Sequence, residues 1–189
     1  MKILVIDNYD SFTYNLVHIL KELSGKAVDV FRNDRISLEE ISNYDKILIS
    51  PGPGVPDQAG IIKSMIKHYG PSKSILGVCL GCQAIAEAYG GSLINLDKVY
   101  HGIETDIIVE VHDEPLFAGI PLRFRAGRYH SWVVNEKDLP EDIRITAKDD
   151  EGFVMAIAHT EHNVRGVQFH PESVMTPNGR LILHNWLNI

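Results

Sequence analysis

Residues 77–83 read Gly77-Val78-Cys79-Leu80-Gly81-Cys82-Gln83 and hold both cysteines of the chain. The apolar run Ile75 to Val78 before them reads as a strand, and Leu80 to Tyr89 after them as a helix stopped at Gly90-Gly91. Gly77-Val78-Cys79-Leu80-Gly81 thus sits at a strand-to-helix turn. That is the setting of a nucleophile elbow, G-x-S-x-G with cysteine in place of serine. In so sharp a turn the positions two before and two after the nucleophile are crowded, which explains a glycine at each. The turn lifts the sulfur off the sheet edge and sets it at a helix N-terminus, where unpaired N–H groups favour a thiolate.

Working outward, the same alternation recurs. Residues 2–6 (KILVI) form an apolar strand, and Phe12, Leu16, Ile19, Leu20 and Leu23 follow at helical spacing until Gly25. Ala27 to Phe31 and Ile47 to Ile49 read as strands, and Ile61, Ile62, Met65, Ile66 and Tyr69 as a helical face closed by Gly70-Pro71. After residue 100 the texture is β-like: Ile103 to Val111, Leu122 to Arg125, Ile143 to Ala147, Phe153 to Ala158 and Val164 to Phe169. A last helix carries Ile182 and Trp186. The expected fold is α/β, an open, mostly parallel central sheet with helices on both faces and antiparallel additions in the second half. With 189 residues, 44% hydrophobic and 23% charged, residues 1–189 are expected to form a single domain.

Composition narrows the function classes. The net charge of −7 is spread along the chain without a basic run, so a phosphate backbone is repelled and no nucleic-acid partner is expected. The N-terminal apolar run is too short for a signal peptide and no later run approaches membrane-spanning length, so a cytoplasmic protein without membrane contact is expected. Two cysteines in such a chain argue against a disulfide scaffold.

Cys79 admits four readings: a small buried residue, half of a C-x-x-C redox pair with Cys82, a metal ligand, or a nucleophile. The redox pair does not ordinarily follow an elbow. His170-Pro171-Glu172 and Cys79/Cys82 echo the zinc-deaminase signature, but the order is reversed, Val78 stands where proline belongs, and the other histidines are scattered. No metal and no cofactor are expected. The nucleophile reading needs a base with an orienter, and Gln168-Phe169-His170-Pro171-Glu172 supplies both. On an extended chain held by Pro171, residues 170 and 172 face one side, so Glu172 can approach the His170 ring. His130, with no carboxylate two residues on, is assigned to the pocket wall. The loop Ser50-Pro51-Gly52-Pro53-Gly54-Val55-Pro56 follows a strand at the same sheet edge. It can add an oxyanion donor to the Leu80 N–H; Pro53 has none, so Gly52 or Gly54 must provide it.

Together, SPGPGVP (50–56), GVCLGCQ (77–83) and GVQFHPES (166–173) resemble the three signature blocks of the class I (triad-type) glutamine amidotransferases, in order and over essentially the whole chain. The opening DNYDSFTYN (7–15) is similar to that of the glutaminase components of anthranilate synthase and aminodeoxychorismate synthase. The resemblance implies Cys79 as nucleophile, His170 as base and Glu172 as its orienter. It places Gly52, Pro53, Gly54, Gln83, Ser131 and Trp132 at glutamine-binding positions; the family often has leucine where Trp132 stands. It also implies L-glutamine as substrate and, as the partner receiving ammonia, a chorismate-using synthase subunit that makes anthranilate or, alternatively, aminodeoxychorismate. Tyr9, Asp10, Ser11 and Phe12 are the candidate partner contact, although the helical spacing of Phe12 equally suits a core position. A cysteine hydrolase acting on another amide without a synthase is the rival class, and Cys82 is read as packing.

Overall fold

Side-chain alternation along the first strands sends neighbouring residues to opposite faces of one sheet. In the computed structural model, which describes residues 1–189, Ile3 and Val5 enter one hydrophobic cluster while Leu4 and Ile6 enter another. Along the chain the elements are β1 (Ile3–Asp7), α1 (Thr13–Ser24), β2 (Val28–Arg32), α2 (Leu38–Ile41), β3 (Lys46–Ile49), α3 (Ile62–Tyr69), β4 (Ser74–Val78) and α4 (Leu80–Ala88). They continue with β5 (Leu93–Asn95), β6 (Ile103–Val109), β7 (Arg123–Arg128), β8 (Trp132–Val134), β9 (Ile143–Asp149), β10 (Val154–His159), β11 (Val164–Val167) and α5 (Gly179–Asn188).

Nine strands form one sheet in the order β2-β1-β3-β4-β11-β10-β9-β6-β7. Pairing from β2 through β11 is parallel, and from β11 to β7 antiparallel. β4, the strand that ends in the elbow, lies between β3 and β11. The ends of all three therefore meet at one edge, where open α/β sheets bind ligands.

Helices α1 and α5 cover one face, with Leu16, Val17, Leu20, Ile182, Leu183 and Trp186 buried there together. Helices α3 and α4 cover the other through Ile62, Met65, Ile66, Ala84 and Ile85. Each fully buried Leu, Ile, Val or Met side chain among these is worth about 1.5–3 kcal/mol. The end of α5 is tied down by buried Lys46, whose Nζ donates to the carbonyls of Trp186 and Ile189 at 2.9 Å each. A cation on the last carbonyls satisfies groups the helix itself leaves unpaired.

The parallel half agrees with the alternation of its sequence, and Gly25 closes α1 in the left-handed conformation at φ 63°. The short helix α2 was not expected from the sequence, and three further features differ from the sequence expectation. Phe12 lies just outside α1, 39% exposed, and Val17 takes the buried place in the helix. β7 runs on to Arg128 because β6 pairs with it along its whole length. β5 and β8, three residues each, form a separate antiparallel pair too short to announce itself by alternation.

Candidate active site

Cys79 is forced into an uncommon backbone conformation by the turn it occupies. Its φ is 52° and ψ −102°, a positive φ shared among non-glycine residues only with Tyr9. The two glycines leave room for this turn. A Cβ on Gly77 would lie 2.3 Å from the carbonyl carbon of Gly81, and one on Gly81 would lie 2.6 Å from the Ile49 oxygen. The strained residue is held by hydrogen bonds, Cys79 N–H donating to Val167 O at 2.8 Å and Gln83 N–H to Cys79 O at 3.1 Å. Strain maintained in this way is characteristic of reactive positions. Leu80 opens α4, so its N–H has no partner within the helix.

His170 is pinned on both sides of its peptide unit. Its N–H donates to Gly127 O at 3.0 Å, and its carbonyl accepts from Thr176 Oγ1 at 2.7 Å. The ring Nδ1 lies 2.6 Å from Glu172 Oε1, both residues buried. The contact is made differently from the sequence expectation. The Ser173 N–H donates to His170 O at 3.2 Å, so Pro171 and Glu172 are the middle of a tight turn rather than an extended run. Burial pushes the His170 pKa down, but the Cys79 sulfur, as thiolate, and the Glu172 carboxylate outweigh it and raise the pKa to about 10. Nε2 is buried without a hydrogen bond of good geometry, so the contact with the Cys79 sulfur that raises the ring pKa is close but poorly aligned. Such contacts commonly tighten only with substrate present. The rings of Tyr129 and Phe12 stand edge-on to His170, with centroids 4.8 and 6.3 Å away.

The 50–56 loop is anchored beneath the elbow. Ser50 Oγ accepts from Asn8 N–H at 2.9 Å, and Ser50 O from Asn8 Nδ2 at 2.8 Å. Gly52 touches the elbow itself, since a Cβ there would fall 2.6 Å from Asn8 Cβ and 2.8 Å from Leu80 Cδ2. Gly54 has φ +73° and turns toward Gln58. Gly52, Pro53 and Gly54, with Cys79, Gln83, Ser131 and Trp132, line a cavity of about 190 Å³ that His130 also borders. This is below the roughly 300–1,000 Å³ of drug-sized sites and suits a small metabolite. On the other side of Cys79 a wider recess, about 540 Å³, opens past His170 to Tyr9, Asp10, Ser11 and Phe12. Cys79 therefore borders both recesses, and Tyr9 at the mouth of the wider one is 49% exposed.

The two cysteines differ in surroundings. Both are free thiols. Cys82 is fully buried, its pKa pushed far up by burial, and it packs against Gly166, where a Cβ would lie 2.8 Å from its sulfur. His, Cys, Asp and Glu side chains nowhere form a group of three or more able to hold a metal ion.

Two groups escaped the sequence reading. One is Gln168, fully buried beside Cys79 and Gln83. Its signal was the period-two alternation that puts it on the same side as His170, with Val167 and Phe169 turned into the core. The other is a cluster under the cavity wall, where fully buried Arg128 donates to Asp149 Oδ2 at 2.5 Å and to His130 Nε2 at 3.1 Å. Tyr100 stacks on the Arg128 guanidinium at 3.7 Å. Burial and the neighbouring Arg128 push the His130 pKa down to about 3, leaving it neutral. An arginine is rarely buried, so nothing in the sequence marks this one.

An elbow cysteine at the carboxyl edge of the parallel half of a mixed sheet, facing a carboxylate-paired histidine, defines an α/β protein of the cysteine-elbow type. The chain belongs to the class I glutamine amidotransferase family, whose sequence model, "Glutamine amidotransferase class-I", matches residues 4–189. It is 47% identical over its whole length to the bifunctional protein TrpGD of Thermotoga maritima, of which it spans 32%. It is 46% identical to a putative anthranilate synthase component II of Haemophilus influenzae, covering 100% of this chain and 97% of that one. The aminodeoxychorismate/anthranilate synthase component 2 of Bacillus subtilis is also 46% identical, over 98% of this chain and 95% of its own. Among solved structures, a putative GMP synthase protein of Thermoplasma acidophilum superposes with TM-score 0.88 at 28% identity, covering 100% of this chain and 92% of that one.

Proposed function

We propose that this chain is a glutaminase subunit that hydrolyses L-glutamine through a thioester on Cys79 and passes the ammonia to a chorismate-using synthase subunit making anthranilate. The observation that carries the reading is Cys79 on its strained elbow, between a cavity of metabolite size and a mouth bordered by His170, whose ring is paired with Glu172.

In the proposed reaction the Cys79 thiolate attacks the side-chain amide carbon of glutamine. The resulting oxyanion is held by the Leu80 N–H and a glycine N–H of residues 52–54, a type of interaction worth about 3 kcal/mol per donor. Protonated His170 gives its proton to the leaving nitrogen, ammonia departs, and Cys79 is left as a thioester. The thioester no longer carries thiolate charge, so one of the two groups that raise the His170 pKa is gone. His170 can then take a proton from water, whose attack releases glutamate and restores the thiolate. Glu172 orients the ring in both halves. All groups used belong to this chain, and the mechanism requires no cofactor from it.

Gln83, Ser131 and Trp132 are assigned to glutamine binding. Gln83 Nε2 donates to Trp132 O at 2.9 Å, so residue 132 contributes through its backbone and a leucine there would serve equally. Tyr9, Asp10, Ser11 and Phe12 are assigned to the partner contact, because they rim the mouth through which ammonia would leave. The working unit is taken as residues 1–189 acting as one domain in the cytoplasm, where a reducing milieu keeps Cys79 free. No helix is long and apolar enough to cross a membrane.

The name of the B. subtilis relative covers aminodeoxychorismate as well as anthranilate, which favours a second reading in which the same site feeds that product, alone or in addition. The test is to mix the protein with each candidate synthase, chorismate and glutamine and to identify the aromatic amine. C79A should abolish synthesis from glutamine and leave synthesis from ammonium salts intact. Retained glutamine use by C79A would overturn the assignment, and glutamine hydrolysis indifferent to every synthase would favour a hydrolase without a partner.

A further inference from the structure

We propose that Gln168 is a catalytic residue that donates a hydrogen bond to the Cys79 sulfur and stabilises its thiolate, with its orientation dictated by Gln83 and the Trp132 carbonyl. The inference rests on the reading of Cys79 as the nucleophile.

Gln168 follows β11 and is fully buried, its own N–H bonded to Met155 O at 2.8 Å. Its Nε2 lies 3.5 Å from Cys79 Sγ, and its Oε1 lies 3.2 Å from Gln83 Nε2. A carboxamide has one accepting and one donating end, and which end points where must follow from its partners. Here the partners leave a single solution. The Trp132 carbonyl can only accept, so it selects the NH₂ of Gln83, at 2.9 Å. That same NH₂ must then meet an acceptor on Gln168, which turns the Gln168 NH₂ toward the sulfur. A relay of fixed polarity thus runs from a backbone carbonyl to the nucleophile.

An N–H donor interacts more strongly with an anion than with a neutral acceptor. The relay therefore stabilises thiolate over thiol, in addition to the protonated His170 ring. The polarity also explains a buried polar side chain between the core residues Val167 and Phe169. A glutamine that served packing alone would be indifferent to the sense of its amide.

The test reads the thiol directly. The rate of Cys79 alkylation by iodoacetamide, followed by mass spectrometry across pH, gives the thiolate titration midpoint; Cys82 is fully buried and does not compete. Gln168→Met, close in size and without a donor, should move the midpoint up by about one pH unit, so that at a pH below both midpoints alkylation slows about tenfold. Gln168→Glu places an acceptor against the sulfur and should move it further in the same direction. Gln83→Met is the decisive variant, because it leaves residue 168 untouched and brings no charge near the sulfur. Without the Gln83 NH₂ nothing holds the Gln168 amide with its own NH₂ toward Cys79, and the midpoint should rise. Should Gln168→Met fail to fold, Gln83→Met carries the same test, whereas a glutamate at 168 also acts by charge repulsion. Midpoints equal to wild type in the folded methionine variants would overturn the proposal. The outcomes separate from those of the glutaminase reading: a protein whose midpoints shift but which never hydrolyses glutamine refutes that reading alone, and one that hydrolyses glutamine with midpoints unmoved refutes the role of Gln168 alone.

Discussion

Glu172 reaches His170 across a tight turn, Oε1 lying 2.6 Å from Nδ1, with the backbone of the histidine fastened to Gly127 and Thr176. The pair is local in sequence and buried in space. A local, buried carboxylate fixes the ring tautomer without depending on distant elements, and the pH dependence of both activity and stability follows from it.

Glu172→Gln keeps the volume and removes the charge. The His170 pKa should fall, because a group that raises it is lost. Glutamine hydrolysis should drop roughly 10²- to 10⁴-fold in kcat, and the alkaline limb of the activity profile should move to lower pH. Stability responds with the same sign. His170 has a folded pKa near 10 against an ordinary 6.5, so its contribution is fully present below pH 6.5 and is lost as pH rises through 10. Denaturant midpoints between pH 6 and 11 should therefore decline for wild type and decline less for Glu172→Gln.

Gly77→Ala places a Cβ 2.3 Å from the backbone of Gly81, where no flexible side chain can give way. A loss of about 2 kcal/mol or more is expected, in the range for overpacked sites, along with most of the glutaminase activity. Urea unfolding followed by circular dichroism, beside an activity assay, measures both.

Asp149→Ala leaves Arg128 charged and fully buried with its carboxylate removed. Removing one partner of such a pair costs about 3–5 kcal/mol. The cavity wall at His130 should loosen with it, because Arg128 also holds the His130 ring. The expected result is a lower thermal midpoint together with a higher KM for glutamine, read by calorimetry and steady-state kinetics.

Tyr9→Ala removes an exposed ring at the rim of the mouth, where the Arg32 guanidinium covers it at 4.7 Å. Affinity for the synthase should weaken at least about tenfold, as for a central aromatic anchor, while iodoacetamide labelling of Cys79 in the free glutaminase stays at the wild-type rate. Titration by isothermal calorimetry or light scattering distinguishes this from an unchanged complex.

The elbow, the parallel half of the sheet and its helices were legible because each rests on a local rule: alternation, helical spacing, a left-handed glycine, a crowded turn. The His170–Glu172 contact was also read from neighbours in sequence, although the chain achieves it with a turn where an extended run was expected. Phe12 illustrates the limit. Its spacing fits the buried stripe of α1, yet the helix begins one residue later and the ring turns to His170 and Tyr129. Helical periodicity cannot register where a helix starts to within one residue.

By itself the sequence determined the elbow, the alternating strands and helices of the parallel half, and the short-range pairing of His170 with Glu172, since these depend on residues a few positions apart. Only the tertiary structure decided which side chains meet across the sheet edge. Gln168 comes to lie between Cys79 and Gln83, and Arg128 between Asp149 and His130, because β11 is inserted beside β4 while β7 pairs with β6 at the far edge. Contacts between strands distant in the chain are set by pairing and burial, and periodicity along a single strand specifies a face without naming what that face will meet.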